Sequence, residues 1–242
     1  IRIKAEYLPK FVEKLAHAGL ISNVISHTTL SLPNGTKLEK VVPEQKNYQI
    51  QDLSSQQTGK MFEPEKWDYW WDCCAASGGK SLLLHALEPT VQLLVSDIRE
   101  SSLQNLEERF QNAGLKKYQK KVLDLLQNNE QDLHHYEFDG IILDAPCSGS
   151  GTWGRTPEML QFFSPERIHY FSKLQKAIAA NVIKHLKTGK PLIYITCSVF
   201  VDENEEVMKQ LQQTTGMQLL SQQYFKGYDK KGDTLFAALF TI

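Results

Sequence analysis

The alternation of apolar, strand-length runs with helical segments, which begins at residue 67, constrains the fold of this chain more than any other feature. The runs are WDYWWDC (67–73), LLVSD (93–97), KKVLD (120–124), FDGIILDAP (138–146) and PLIYITCS (191–198). Segments with helical periodicity lie at 81–88, 100–112, 164–189 and 202–213. This order predicts an α/β fold with a doubly wound, mostly parallel sheet. Two last runs, at 217–225 and 233–242, predict a closing antiparallel pair that brings the sheet to seven strands.

A smaller α+β unit is predicted for residues 1–50, and the main domain for residues 51–242. The elements predicted for the small unit are a strand at 1–4, an amphipathic helix at 9–18 and a hairpin at 27–42 around the turn Asn34-Gly35. Because the sequence begins with Ile1 rather than methionine, we expect it to be a fragment of a longer protein.

Composition and charge exclude several classes of protein. The chain has 242 residues and a net charge of -1, so a nucleic-acid partner would have to contact a local basic patch. No apolar run reaches the length of a membrane span, and we expect neither a membrane partner nor a signal peptide. The four cysteines do not resemble a disulfide framework, which predicts free thiols and a reducing, cytoplasmic location. We also expect the protein to be a monomer. The seven histidines show no HExxH or HxxxH spacing, so we expect no metal.

The loop after the first strand of the main domain is a candidate nucleoside-binding site. It consists of Cys74, Ala75, Ala76, Ser77, Gly78, Gly79 and Lys80. Small residues let a ligand approach the backbone, and the next helix offers free N–H groups. Asp97, Asp124 and Asp144 end the following three strands, where ligands bind in such sheets. The loop matches neither GxGxxG nor GxxxxGK[ST], which leaves S-adenosylmethionine as the best nucleoside ligand.

Two cysteines follow buried strands at the same predicted edge of the sheet. Cys147 lies in DAPCSGSG and Cys197 in TCS. Carbon 5 of cytosine is a poor nucleophile, and a thiolate that adds to carbon 6 activates it toward a methyl donor. Asp144 is placed to stabilise such an adduct near ring nitrogen 3. A redox disulfide is an alternative, although no CxxC pair supports it, whereas Cys73 is predicted to be an ordinary core residue.

These motifs resemble the Nop/Sun (Fmu-like) family of RNA cytosine-5 methyltransferases over nearly the whole chain. The matching segments are IRIK, QDLSS (51–55), CAASGGK (74–80), the strand ends at Asp97 and Asp124, DAPCSGSGTWGRTPE (144–158), TCS and ENEEV (203–207). The resemblance implies a Rossmann-like fold that uses S-adenosylmethionine, preceded by an RNA-recognition-like subdomain. It implies that Cys197 attacks carbon 6 and that Cys147 assists proton removal or product release. It also implies that 74–80, Asp97, Asp124 and Asp144 surround the methyl donor, with Lys80 and Asp144 near the target base.

The sequence departs from the family pattern at two positions near the methyl donor. The family usually has proline where this chain has Ser77, and arginine where it has Ser102. Backbone contacts of the loop should survive a serine, although the loop loses the rigidity of proline. Arg99 is a candidate substitute for the missing arginine.

RNA is the expected macromolecular partner, and ribosomal RNA is preferred over transfer RNA because the N-terminal segment resembles the ribosomal branch. Arg155 could pair with a phosphate, and Trp153 could stack on a base. The basic run of Lys116, Lys117, Lys120 and Lys121 is as consistent with a solvated face as with RNA contact.

Three other functions fit the sequence less well. A DNA cytosine-5 methyltransferase would carry its nucleophile in Pro-Pro-Cys, whereas this chain has Ala-Pro-Cys and a separate Thr-Cys-Ser. Amino-group methyltransferases usually carry [DN]PP[YF] at the Asp144 position and need no thiol. A non-catalytic RNA-binding or assembly factor would not need the cysteine pair.

Overall fold

A computed structural model describes all residues, 1–242. The strands are β1 (Arg2–Ile3), β2 (Asn23–Ser26), β3 (Thr29–Ser31), β4 (Tyr48–Gln49), β5 (Tyr69–Asp72), β6 (Gln92–Asp97), β7 (Gln119–Val122), β8 (Gly140–Asp144), β9 (Pro191–Thr196), β10 (Gln218–Lys226) and β11 (Thr234–Thr241). The α-helices are α1 (Leu8–His17), α2 (Leu53–Gln57), α3 (Gly79–Leu87), α4 (Glu100–Ala113), α5 (Glu130–Leu133), α6 (Glu166–Val182) and α7 (Glu205–Thr215). None of the helices combines the length and apolarity needed to span a bilayer.

The main sheet has seven strands in the order β10-β11-β9-β8-β5-β6-β7. The five strands β5 to β9 pair in parallel, and β11 is antiparallel to both β9 and β10. The predicted doubly wound, mostly parallel sheet with a closing antiparallel pair is therefore confirmed. The chain builds outward from β5 in one direction and then from β8 in the other, so the switch point lies between these two strands, where such sheets bind ligands.

Two hydrophobic cores cover the two faces of this sheet. Because successive strand residues point to opposite faces, the fully buried Trp70 packs in the core on one face and the adjacent, equally buried Trp71 in the core on the other. The same division separates Ile142 from Ile141 on β8. Burial on both faces explains why these strands read as nearly continuous apolar runs.

The first four strands form a separate antiparallel sheet in the order β2-β3-β1-β4. Phe11 and Leu15 of α1 bury their side chains against it, as the amphipathic pattern predicts. Arg2 connects this sheet to the main domain, since its guanidinium donates to the carbonyl of Leu82 and to the amide oxygen of Gln51, both at 3.0 Å. The division of the chain at residue 50 stays a prediction.

The predicted hairpin at 27–42 is wrong, because the hairpin of this region lies earlier. β2 and β3 pair across the turn at His27-Thr28, and the chain after Asn34-Gly35 enters a 3-10 turn instead of a strand. The physical reason is the spacing of the buried residues: Leu38 and Val42 are buried and Val41 is partly buried, at i, i+3 and i+4, whereas Lys40, which an alternating strand would bury, is exposed. The N–H of Val42 donates to the carbonyl of Leu38 at 2.7 Å, which closes this turn.

Candidate active site

The loop between β5 and α3 is held in a strained conformation at the switch point. Gly78 adopts a left-handed φ of 78°, and a Cβ atom there would lie 2.4 Å from the ring of Phe110. Only glycine satisfies both conditions. Ala76 also has a positive φ, 47°, and its N–H donates to the Asp97 carboxylate at 3.0 Å. Such strain persists only where the surroundings impose it, and it is typical of ligand sites.

Asp97 and Asp124 lie at the ends of neighbouring strands but outside the cavity that contains Cys197. Asp97 is buried and also accepts hydrogen bonds from the backbone and side chain of Arg99, at 2.9 and 3.2 Å. Asp124 lies two residues past β7, beyond the strand rather than in it, and accepts from the N–H of Leu126 at 3.0 Å. Each carboxylate thus also orders the turn that follows its strand.

A cavity of about 290 Å³ opens beside residues 74–80, the candidate cofactor loop, where the main domain meets the segment that leads into it. Its walls include Ala75, Ala76, Ser77, Gly79, Lys80, Asp144 and Cys197 from the predicted site, together with Gln51, Asp52, Ser55, Arg109, Arg155 and Asp233. The structure therefore brings the two predicted parts of the site, the small-residue loop and the end of β9, to one concave surface.

Lys80 and Asp144 form a buried ion pair at the base of this cavity. The ammonium and the carboxylate lie 2.8 Å apart; the Lys80 side chain is only 8% exposed, whereas that of Asp144 is 34% exposed and open to the cavity, so the burial of the pair is that of its cation. Burial alone would lower the pKa of Lys80, but Asp144, Asp72 and Cys197 together raise it above its usual value. Lys80 is therefore a fixed cation directly beside one of the two predicted catalytic thiols.

The sulfur atoms of Cys147 and Cys197 lie 3.3 Å apart. The strands that precede them, β8 and β9, are neighbours, which is why residues 50 positions apart in the sequence meet. The thiol–thiol hydrogen bond lowers the pKa of Cys197, although burial opposes this. The same bond, together with burial, raises the pKa of Cys147. One thiol of the pair is thus favoured as the thiolate and the other as the proton carrier.

Asp72 is a buried acid that sequence reasoning missed. It ends β5 directly below the cofactor loop, and its side chain is fully buried. Burial raises its pKa to about 7, with Asp144 adding to the shift and the hydroxyl of Ser81, which donates to the carboxylate, opposing it. Its other oxygen has no hydrogen-bond partner. A signal existed in the sequence, since an aspartate that ends an apolar run is an expensive residue to bury.

Arg155 lines the cavity, whereas Trp153 lies outside its walls. The Arg155 guanidinium contacts the buried carboxylate of Asp233 at 2.7 Å, while the N–H of Asp233 donates to Asp52 at 3.1 Å. The Trp153 ring packs against Phe163 and Phe200, with ring centres 4.9 and 6.0 Å away. Sequence reasoning found Arg155 but not its two acidic neighbours.

At Ser77, where the family usually has proline, the side chain of Arg109 restrains the loop. The Arg109 guanidinium donates to the Ser77 hydroxyl at 3.4 Å and to the carbonyl of Ile50 at 2.9 Å. It thereby connects the cofactor loop to the segment that enters the domain. Arg99, the candidate substitute for an arginine at position 102, precedes α4 and binds Asp97.

The basic run lies at the far edge of the sheet, on and before β7, three strands away from β8. Lys120 contacts Glu107 at 2.8 Å and Lys121 contacts Asp132 at 3.7 Å. No group of three or more His, Cys, Asp or Glu side chains is arranged to hold a metal ion.

The strand order, with its reversed last strand inserted beside β9, is that of Rossmann-like methyltransferases, and the chain has this class of fold. The structure of PH0851 covers 100% of this chain with a TM-score of 0.90, at 21% identity and over 58% of its own length. A methyltransferase homolog protein from Pyrococcus horikoshii covers 99% with a TM-score of 0.81, at 19% identity and over 85% of its length.

The sequence narrows this class to one family. The model of the family described as 16S rRNA methyltransferase RsmB/F matches residues 60–236, and the chain belongs to this family. The ribosomal RNA small subunit methyltransferase B of Escherichia coli (strain K12) is 32% identical over 166 residues, which is 69% of this chain. The structure of NSun6 from Pyrococcus horikoshii with SFG is 26% identical, covers 89% of this chain and 58% of that one, and has a TM-score of 0.76.

The chain spans less than half the length of the curated relatives it matches. The aligned region is 38% of the Escherichia coli protein and 44% of the Citrobacter koseri protein of the same name, which is 31% identical over 190 residues.

Proposed function

We propose that this chain methylates carbon 5 of cytosine in RNA, with S-adenosylmethionine as the methyl donor. The observation that carries the proposal is the pair of thiols, Cys147 and Cys197, 3.3 Å apart beside the buried Lys80–Asp144 ion pair. An activated thiol beside a fixed cation is what covalent activation of a pyrimidine needs, and a second thiol at this distance can serve as a proton carrier. Amino-group methylation needs neither sulfur.

In the proposed reaction Cys197 is the nucleophile. Its thiolate adds to carbon 6 of the cytosine, which makes carbon 5 electron-rich enough to take a methyl group. The Lys80–Asp144 pair lies near ring nitrogen 3, where the Lys80 ammonium stabilises the negative charge of the adduct. After methyl transfer a base removes the proton on carbon 5, the electron pair of that bond restores the ring double bond, and the bond between carbon 6 and Cys197 breaks to return the Cys197 thiolate. Cys147 assists this step as a proton carrier.

The methyl donor fits the loop between β5 and α3. When bound, S-adenosylmethionine supplies an electrophilic methyl group on a sulfonium. The strained backbone at Ala76 and Gly78 exposes a concave surface of small residues, as a ligand cradle requires. The residues that would hold the donor are Cys74, Ala75, Ala76, Ser77, Gly78, Gly79, Lys80, Asp97, Asp124 and Asp144.

The target cytosine has to leave its stack to reach the cavity. We place a phosphate of its strand at Arg155, which Asp233 orients at the mouth of the cavity. We place an unstacked base at Trp153, whose ring packs against Phe163 and Phe200. Unstacked bases bind to such aromatic surfaces.

Ribosomal RNA is the proposed substrate, because the family is described as acting on 16S rRNA and the relatives by their names act on the small ribosomal subunit. We also propose that residues 1–50 act as an RNA-recognition-like subdomain, and that the chain works as a monomer in the cytoplasm, where its four free thiols stay reduced.

The test is a methylation assay with labelled S-adenosylmethionine and, separately, ribosomal or transfer RNA. Cys197→Ala should abolish methylation, and Cys147→Ala should accumulate a covalent protein–RNA adduct. Cys73→Ala is the matched control, since this thiol is buried in the core and does not face the cavity. Normal turnover by Cys197→Ala would overturn the mechanism. Methylation of transfer RNA alone would move the substrate from ribosomal to transfer RNA, and binding of RNA without methylation would indicate an assembly factor.

A further inference from the structure

A fully buried carboxylate, Glu203, lies behind the two cysteines, just before α7. One of its oxygens accepts hydrogen bonds from the N–H of Ser148 at 2.8 Å and from the side-chain amide of Gln175 at 3.1 Å. The other accepts from the Ser198 hydroxyl at 3.0 Å. Three donors therefore converge on the group, a pattern that an acceptor-only carboxylate satisfies.

The partners of Glu203 belong to the two segments that carry the thiols. Ser148 directly follows Cys147, and Ser198 directly follows Cys197. Gln175, on α6, also donates to the carbonyl of Pro146 at 2.9 Å, so it holds the first segment from the other side. One buried group thus fixes the relative position of two loops that are distant in sequence.

No lysine, arginine or histidine pairs with Glu203, since only neutral groups donate to it. Burying an unpaired charge is expensive, and a neutral residue of similar size would stabilise the fold more. The chain has a carboxylate at this position rather than a neutral amide, from which we infer that the charge itself acts on the neighbouring thiols.

The charges around the two thiols differ. Around Cys197, the carboxylates of Asp144 and Asp233 raise its pKa, and the ammonium of Lys80 opposes them. Around Cys147, Glu203 raises the pKa and no cation opposes it; only a hydrogen bond with the Gly149 backbone acts the other way. The remaining titratable groups that face the pair are Tyr194, on β9, and Arg155.

We propose that Glu203 is a positioning residue that clamps the two cysteine segments together and places a negative charge behind the Cys147 segment. This inference rests on the proposed function for its catalytic meaning, because the clamp holds the two thiols at the separation at which one attacks the base and the other carries the proton. The clamp itself concerns the free protein and is testable without RNA.

The variant Glu203→Gln removes the charge and leaves a side chain of nearly the same shape. Its amide oxygen can keep accepting from Ser148 and Gln175, and its amide nitrogen can donate to the Ser198 hydroxyl oxygen, which now faces the other carboxylate oxygen. Glu206→Gln is the matched control, because Glu206 lies three residues further on, at the surface of α7.

The readout is the alkylation of each cysteine by iodoacetamide across pH 5 to 10, followed for the separate peptides by mass spectrometry at low conversion. In Glu203→Gln the Cys147 midpoint should fall, because a negative charge that raises the pKa of this thiol is removed, so that its alkylation near pH 7 becomes faster than in the wild type. The control should match the wild type. A Cys147 profile that is the same in Glu203→Gln and in the control would overturn the proposal.

A measurement on the unaltered protein covers the case in which Glu203→Gln does not fold. In the wild type, Cys197 should titrate at lower pH than Cys147, and equal or reversed midpoints would overturn the proposal. Because neither measurement uses RNA, failure of the proposed methylation leaves them valid. Methylation with an unchanged thiol profile in Glu203→Gln would refute only the role of Glu203.

Discussion

We predict that the substitution Gly151→Ala, which adds a single methyl group, moves apart the two segments that carry Cys147 and Cys197. The Gly151 N–H donates to the carbonyl of Cys197 at 2.9 Å. A Cβ atom at this position would lie 2.0 Å from the carbonyl oxygen of Thr234 and 3.0 Å from that of Cys197. Both neighbours are backbone atoms of strand ends, so neither can rotate out of the way.

The size of the effect of Gly151→Ala follows from these distances. Real Cβ contacts essentially never fall below 3.0 Å, so the contact with Thr234 has to open by about 1 Å. The Cys147 segment then moves away from Cys197 and the connecting hydrogen bond weakens. Overpacking of this kind costs about 1–3 kcal/mol of stability, and a misplacement of about 1 Å at a reacting group can cost roughly 100-fold in rate. We therefore expect a folded protein that has lost most of its turnover.

The assay compares single-turnover methylation and urea denaturation of Gly151→Ala with those of Gly154→Ala. Gly154 lies in the same segment, and a Cβ atom there meets no heavy atom within 4 Å. The control should keep wild-type turnover. If both alanine variants turn over within about twofold of each other, the tight contact at Gly151 does not set the geometry of the thiols.

Three other predictions concern charged groups. Because folding raises the pKa of Asp72 from 3.8 to about 7, the folded protein binds a proton that the unfolded chain has lost, and the free energy of unfolding falls as pH rises from about 4 to 7. Asp72→Asn should remove this loss. In urea denaturation the variant should be more stable than the wild type by up to about 4 kcal/mol at pH 8, and the difference should vanish near pH 4. Lys80→Met removes the cation that lowers the Cys197 pKa, so the acid limb of the methylation rate should move to higher pH; an unmoved limb would contradict this. Asp233→Asn frees Arg155 from its partner and should raise KM for RNA several-fold with little change in kcat, whereas an equal loss in kcat would place Asp233 in the chemistry.

The order of strands and helices, the loop at 74–80 and the candidate cysteines were all predictable from the sequence. Each depends on local information: the period of apolar residues, the small residues after a strand, and the edge at which parallel strands end. The failed hairpin at 27–42 shows the limit of local signals. An Asn-Gly turn favours a hairpin, but the burial of Leu38 and Val42 against α1 selects a helical turn instead.

Tertiary structure alone decided how the site is assembled. The 3.3 Å separation of Cys147 and Cys197 depends on the pairing of β8 with β9. Asp233 comes from a segment with no pattern of its own, and Glu203, although it begins the segment ENEEV, does not reveal in the sequence which loops it contacts. The sequence by itself determined which residue types stand at the ends of the strands. Which thiol is favoured as the thiolate depends first on the hydrogen bond between the two sulfurs and then on the burial and the charges around each, and only folding brings these groups together.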